Sequence, residues 1–431
     1  SGKDVFFLTG ADEHGVKIAR AAEAVNKTPE ELVDENSEKF KNLKSALNLS
    51  WDGFIRTSDK KIHWPVAQEL WKRLENNGDI YKKIYKGFYC VGHEAFVTKK
   101  DLVDGKCADH QKEPEVIEEE NWFFRLSKYT KEIESRIKNN ELRIVPETRK
   151  NEILSLLNEG LEDISFSRPR KDLSWGIPVP GDDSQTMYVW ADALSNYISG
   201  RGGIKEWKKY PADIHVIGKD ILRFHAAIWP AMLLSAKLPF PKAIYVHGHI
   251  LSGGQKMSKS LGNVIDPFEL VKKYGVDAVR YFLLREISST GDGDFSYEKF
   301  EERYNGDLAN GLGNLVARVA AIGEKLGDIK LKNSFFDLLF SSGRKKDLYE
   351  KLFNDFKLDK ILEKIWEEIH DLDKLINSEK PWSEKEEAVL RRKIADYGKK
   401  IINIADTLSP FMPETSKKIK EHFNLSGGIL K

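Results

Sequence analysis

Two lysines three positions apart, Lys256 and Lys259, stand in the stretch Gly253-Gly254-Gln255-Lys256-Met257-Ser258-Lys259-Ser260-Leu261-Gly262-Asn263. Each carries a compact ammonium on a flexible stem, and the glycines ahead of them permit a turn that swings onto its target. Such a pair suits negative charge that grows on a departing polyphosphate, where a donor counts most in the transition state. A solvated basic loop is the plain alternative; the complete Lys-Met-Ser-Lys-Ser string after a Gly-Gly turn argues against it. Lys259 is expected to make the main contact, with Lys256 in support.

A second constellation is Cys90-x-x-His93 and Cys107-x-x-His110, with thirteen residues between the half-sites and no other cysteine in the chain. Two thiolates and two imidazoles suit tetrahedral Zn²⁺, and a closed shell of four ligands leaves no place for substrate, so the site reads as structural. Two unrelated buried cysteines are the alternative. A third candidate is Asp12, a carboxylate just past a strand in Thr9-Gly10-Ala11-Asp12-Glu13-His14-Gly15, able to accept from a substrate ammonium.

The elements that must position these groups follow from hydrophobic periodicity. A buried strand is predicted over residues 5–9 and a helix over 16–25, a unit whose strand end faces the crevice where parallel α/β sheets bind ligands. Two further helices are predicted, one after Thr28-Pro29-Glu30 and one over about 60–76. Short strands and turns then interrupt the pattern. The α/β reading resumes with strands at Tyr188-Val189-Trp190, at 214–218 and at 243–247, and beyond about Phe300 the sequence is almost wholly helical.

The fold expected is therefore α/β: a Rossmann-like parallel sheet in two parts, residues 1–78 and 170–245, split by an inserted zinc-knuckle module over 79–169. Residues 246–300 form a linker with the lysine loop, and 301–431 an all-α helix bundle. With 431 residues the chain exceeds one ordinary core, and 40% hydrophobic against 32% charged residues excludes a disordered chain. Lys plus Arg number 69 against 68 Asp plus Glu, so any nucleic-acid contact must be local. No apolar run spans a membrane and no signal peptide opens the chain, so a cytoplasmic location is expected.

Several motifs together resemble methionyl-tRNA synthetases, a family of class I aminoacyl-tRNA synthetases. They are the Lys-Met-Ser-Lys-Ser loop, Gly10-Ala11-Asp12-Glu13-His14-Gly15, Trp175-Gly176-Ile177-Pro178-Val179-Pro180-Gly181, Tyr188-Val189-Trp190-Ala191-Asp192-Ala193-Leu194, Gly218-Lys219-Asp220-Ile221-Leu222-Arg223-Phe224-His225 and Trp229-Pro230-Ala231. The resemblance covers essentially the whole chain. It implies methionine activation by ATP, with Mg²⁺, and transfer to tRNA(Met).

It further implies a methionine pocket of Asp12, Trp190, Ala193, Leu194, Tyr197, Ile221, Phe224 and His225, where apolar and aromatic walls hold a thioether. Phe224 and His225 are neighbours on a predicted helix and are not expected to face the same side; His225 is expected to orient Tyr197 and not to move protons. Gly218 and Asp220 match the family's ribose contacts, Ile250 its adenine contact and Arg168 an active-site arginine. Asn314, Arg318 and Trp382 match its readers of the CAU anticodon, with Trp382 opening a helix after Pro381.

One family feature is absent, a first strand and helix with a His-Ile-Gly-His-like signature; the resemblance places it before Ser1, so the chain alone is expected to adenylate poorly or not at all. A monomer is expected, as no dimerising module follows the bundle. Leucine, isoleucine and valine enzymes would carry a larger editing insert, and a cysteine enzyme a metal in its pocket. A tRNA-binding remnant without chemistry is the reading from another class.

Overall fold

The computed structural model describes residues 4–92, 95–97, 102–108, 111–257, 262–327, 329–330, 343–423 and 429–430. The chain divides into two compact units, residues 1–246 and 247–431.

The first unit opens with strand β1 (Leu8–Ala11), helices α1 (Val16–Glu23) and α2 (Pro29–Ala46), strand β2 (Gly53–Arg56) and helix α3 (His63–Asn76). Thr28 and Glu31 close a reciprocal capping box on α2, with Pro29 as its first residue, which fixes where that helix starts. β1 and β2 pair in parallel, Gly10 opposite Ile55, so closely that a Cβ on Gly10 would fall 2.2 Å from the Ile55 carbonyl oxygen. The strand expected over 5–9 is displaced: Val5, Phe6 and Phe7 are exposed and pairing begins at Leu8.

The interruption consists of β3 (Ile80–Cys90), β4 (Ala95–Val97), the short pair β5 (Leu102–Val103) and β6 (Lys106–Cys107), and β7 (Glu115–Phe124). After α4 (Thr130–Lys138), β8 (Arg143–Val145) and α5 (Glu147–Glu159) comes β9 (Ile164–Ser165), which completes a sheet ordered β4-β3-β7-β9. Next come β10 (Ser167–Pro169), β11 (Pro178–Val179), β12 (Asp182–Met187), α6 (Val189–Gly200), α7 (Ile204–Lys209) and β13 (Ile214–Gly218). Helix α8 (Trp229–Ser235) and β14 (Ala243–His247) end the unit, β14 lying between β13 and β8.

The strand predicted at 188–190 is corrected. Strand β12 stops at Met187 and Val189 starts α6, whose Ala191, Ala193 and Leu194 are good helix formers and which as a whole packs against α3. The core of this unit gathers α3, α4, α6 and α8 around Trp229, Trp207, Phe124 and Phe166. Edge strand β13 leaves Ile214 46% and Val216 61% exposed.

In the second unit β15 (Ile250–Ser252) lies between β16 (Gln255–Lys256) and the parallel β17 (Gly293–Phe295). Helices α9 (Pro267–Tyr274), α10 (Val276–Arg285) and α11 (Tyr297–Arg303) lead through a π-helical stretch, Tyr304–Gly313, into α12 (Asn314–Leu326). The bundle continues with α13 (Gly343–Asn354), α14 (Leu358–Glu379), α15 (Glu387–Leu408) and α16 (Pro413–His422). Its core is a seam of Ile361, Leu362, Ile365, Ile369, Leu372 and Ile376 from α14 against Ile394, Ile401, Ala405 and Leu408 from α15. Among the described residues no helix is long and apolar enough to cross a membrane.

Candidate active site

The loop after β1 is held from two sides. Glu13 is buried and accepts from Arg56 Nε at 2.8 Å and from the hydroxyls of Ser37 and Ser58, while its backbone N–H donates to Thr57 Oγ1 at 2.9 Å. His14 is buried too, its Nδ1 2.6 Å from Asp192 Oδ2, with Trp64 and Trp175 edge-on to its ring. Asp12, between these anchors and the strand, is exposed. Of Asp12-Glu13-His14 the first is exposed and the other two are buried.

Asp192 joins this loop to α6. Its second oxygen lies 2.6 Å from Nε2 of the fully buried His63, whose Nδ1 reaches Ser199 Oγ at 2.8 Å. Burial pushes the Asp192 carboxyl up, yet the two imidazoles outweigh burial and hold it below the ordinary carboxylate range. An ionised carboxylate only accepts, so His14 donates through Nδ1–H and His63 through Nε2–H.

On α6, Trp190 stacks on Phe224, with ring centroids 3.8 Å apart and planes 8° from parallel. His225 meets the same indole edge-on at 6.1 Å. Both neighbours thus reach Trp190, Phe224 on its face and His225 on its edge, the indole being large enough to meet two residues that leave the π-helical stretch Phe224–Ile228 in different directions. Tyr197 Oη donates to His225 Nε2 at 2.7 Å, and His225 Nδ1–H donates to the Ile221 carbonyl at 3.0 Å. Behind them Trp229 Nε1 donates to His215 Nε2 at 3.2 Å.

Burial pulls His225 down to about 4, against its bond to Ile221, and pulls His215 down to about 3, aided by His225. Tyr197 is pushed up by burial. All three are neutral at pH 7, so this wall is polar enough to be ordered and carries no charge. Trp190, Tyr197, Ile221 and Phe224 are partly buried and pack against the core, whereas Ala193 and Leu194 are buried in α6.

Gly218 ends β13 and Asp220 sits in the tight turn Lys219–Ile221 just beyond it, at the strand's carboxyl end. Arg168 is buried in β10, donating through Nη1 to Ser165 Oγ and the Ser167 carbonyl, both at 2.7 Å, between the faces of Tyr89 and Tyr188.

In the second unit Gly253 and Gly254, at φ 63° and 72°, form the two-residue turn of the β15–β16 hairpin, and Asp294 Oδ1 accepts from the Gly254 N–H at 2.8 Å. Both left-handed positions shape a tight hairpin turn. The two glycines thus form the turn that precedes Lys256, which is exposed in β16. Lys259 lies outside the described residues. Ile250 starts β15, with its side chain exposed.

Cys90 and Cys107 are buried in one small cluster with Val97, and no disulfide joins them. His93 and His110 lie outside the described residues, and among the described residues no group of three or more metal-ligating side chains occurs. Asn314 and Arg318 share a face of α12, where Arg318 Nη1 donates to Asn377 Oδ1 at 2.9 Å and Nη2 to Asp373. Trp382, 55% exposed, lies in a single 3₁₀ turn of helix, Pro381–Ser383, and the long α15 starts separately at Glu387.

A family model described as tRNA synthetases class I (M) matches residues 1–113 and 97–320. Methionine–tRNA ligase of Thermotoga maritima is 42% identical over 458 residues, spanning 100% of this chain and 72% of that relative. The chain belongs to the methionyl-tRNA synthetases. The enzyme of Clostridium acetobutylicum is 43% identical over 446 residues, covering 98% of this chain and 68% of its own length. The crystal structure of Mycobacterium tuberculosis methionyl-tRNA synthetase bound by methionyl-adenylate superposes with a TM-score of 0.90 at 37% identity, over 99% of this chain and 91% of that one.

Sequence reasoning about this synthetase missed His14, His63 and Asp192 as a unit. The signal available was Asp192 itself, a charged residue within the apolar run Val189-Trp190-Ala191-Asp192-Ala193-Leu194, since a carboxylate is almost never fully buried without partners. His63 is 129 positions away, and nothing local marks it as that partner.

Proposed function

We propose that this methionine–tRNA ligase seats methionine against Trp190, Phe224, Tyr197, Ile221 and His225, lined further by Ala193 and Leu194, with Asp12 accepting from the substrate ammonium. The observation that carries this reading is the Trp190–Phe224 stack with the uncharged Tyr197–His225 pair beside it: a flat, polarisable, uncharged surface suits an unbranched thioether. In the reaction the methionine carboxylate attacks the α-phosphorus of ATP, pyrophosphate leaves and methionyl-adenylate forms. The tRNA terminal hydroxyl then displaces AMP.

Gly218 and Asp220 are assigned to the ribose, Ile250 to adenine, and Lys256 and Lys259 to the charge growing on pyrophosphate; Arg168 is retained as an active-site arginine acting from within its strand. Mg²⁺ enters with ATP. Asn314, Arg318 and Trp382 are assigned to the anticodon of tRNA(Met), with the exposed indole as a stacking plane. A monomeric, cytoplasmic enzyme is part of the same proposal.

Zinc is proposed at Cys90, His93, Cys107 and His110. Two buried thiols in one cluster, unbridged, fit two thiolate ligands. The ion would hold the turns of the insert together. A further segment with the His-Ile-Gly-His-like signature is proposed to complete the ATP site. The exposed apolar side chains of Val5–Phe7 and of Ile214 and Val216 on one face of edge strand β13 support it, because a further strand at an open edge with its helix over that face would cover them.

The test is methionine-dependent ATP–pyrophosphate exchange by the chain, alone and with that segment added as a peptide. Exchange is expected to rise on addition and to fall about 100-fold or more with Lys259→Ala. Equal exchange with leucine, or none lost on Lys259→Ala, would contradict the reading. Metal analysis is expected to give one zinc per chain, lost in Cys107→Ser.

A further inference from the structure

Asp12 and the Trp190 wall stand on different elements, a strand-end loop and the start of α6, and a small substrate that touches both needs their spacing fixed to a fraction of an ångström. Glu13 fastens the loop toward β2 and α2, through Arg56, Thr57, Ser58 and Ser37. His14 fastens it toward α6. The tie is a buried carboxylate, Asp192, gripped on one oxygen by His14 and on the other by His63, each at 2.6 Å.

His63 begins α3 and is held at its other nitrogen by Ser199, one residue from the end of α6. One carboxylate therefore links the loop, α3 and both ends of α6. Asp192 lies two residues after Trp190 and one before Ala193, so any shift of this link moves the proposed wall with it.

We propose that His14, Asp192 and His63 form a positioning clamp that sets the distance between Asp12 and the Trp190–Phe224 wall, and so the affinity and selectivity for methionine. None of the three touches substrate in this account. The inference rests on the methionine reading above, which assigns Asp12 and Trp190 their roles.

The two histidines use different nitrogens, and this makes the clamp testable apart from simple packing. An asparagine amide reaches the place of Nδ1, and a glutamine amide reaches the place of Nε2. His14→Asn should therefore preserve the clamp and His14→Gln break it, while at position 63 the order reverses, His63→Gln preserving and His63→Asn breaking.

The experiment measures amide hydrogen exchange in segments 12–15 and 189–200 of the whole chain, and methionine dissociation constants by tryptophan fluorescence, for these four variants and Asp192→Asn. Each variant is first checked for cooperative melting. The breaking variants are expected to speed exchange in 12–15 and to weaken methionine at least 10-fold, leaving ATP affinity within about 3-fold; the preserving ones stay within about 3-fold of the parent throughout.

If glutamine serves better than asparagine at both positions, side-chain volume alone explains the data and the clamp is refuted. Unchanged exchange in every variant refutes it as well. Should the parent chain bind no methionine, the methionine reading falls, and the exchange pattern by itself still decides whether the clamp exists.

Discussion

The proposed methionine wall and the proposed anticodon face solve recognition in opposite ways. Around Trp190 the polar side chains are tied to buried partners: Tyr197 to His225, His225 to the Ile221 carbonyl, His14 and His63 to Asp192. On the helical unit Trp382 stands largely in solvent, and Arg318 holds Asp373 and Asn377 at a partly exposed surface. A ligand the size of an amino acid gives little area, so its site must be rigid before it arrives. An unstacked base brings its own flat face and needs an exposed plane to meet it.

That contrast can be broken first at its strongest point. Trp190→Ala removes the stack on Phe224 and should weaken methionine by about 2 kcal/mol or more, roughly 30-fold, as loss of a central aromatic anchor does. Titration by calorimetry reads it, and tRNA affinity should not move. Trp382→Ala is the mirror experiment. It should cost about 1–3 kcal/mol in tRNA(Met) binding, as loss of one stacked base does, with methionine affinity unchanged.

A third effect follows from the buried histidines. His225 at about 4 and His215 at about 3 are depressed below the ordinary histidine value of 6.5. The unfolded chain therefore takes up protons that the folded chain refuses as pH drops below about 6.5, and stability falls until the folded groups titrate. The slope should approach about 1.4 kcal/mol per pH unit for each histidine. Denaturant titrations between pH 7 and 4.5 test this, and His225→Gln should flatten the slope. In the helical unit, by contrast, Lys364→Ala removes an exposed pair with Glu367 on α14 and should change stability by no more than about 0.5 kcal/mol.

Much of this molecule is legible from its sequence, and what escapes does so for physical reasons. The α2 start is local chemistry, a capping box with proline at the first position, and it reads directly. Asn314 and Arg318 share a helix face because a repeat of 3.6 puts them there. Position 188–190 misleads because Tyr-Val-Trp is a strand signature locally, while the helix is carried by Ala191, Ala193 and Leu194 after it and by the packing of α6 on α3. Phe224 and His225 meet the same indole, one on its face and one on its edge, a tertiary contact that helical spacing alone does not disclose. Of the site, motifs point to Asp12 and Trp190, while the clamp between them depends on contacts 178 and 129 residues apart.

The most direct trial of the account is to titrate the chain with methionine, and separately with leucine, following the tryptophan signal in the parent, Trp190→Ala and Asp12→Asn. Saturable one-to-one binding of methionine, far weaker for leucine and weakened by about 30-fold or more in Trp190→Ala and clearly also in Asp12→Asn, is the result the proposed site predicts. Binding that ignores either substitution, or that takes leucine as readily, would contradict it.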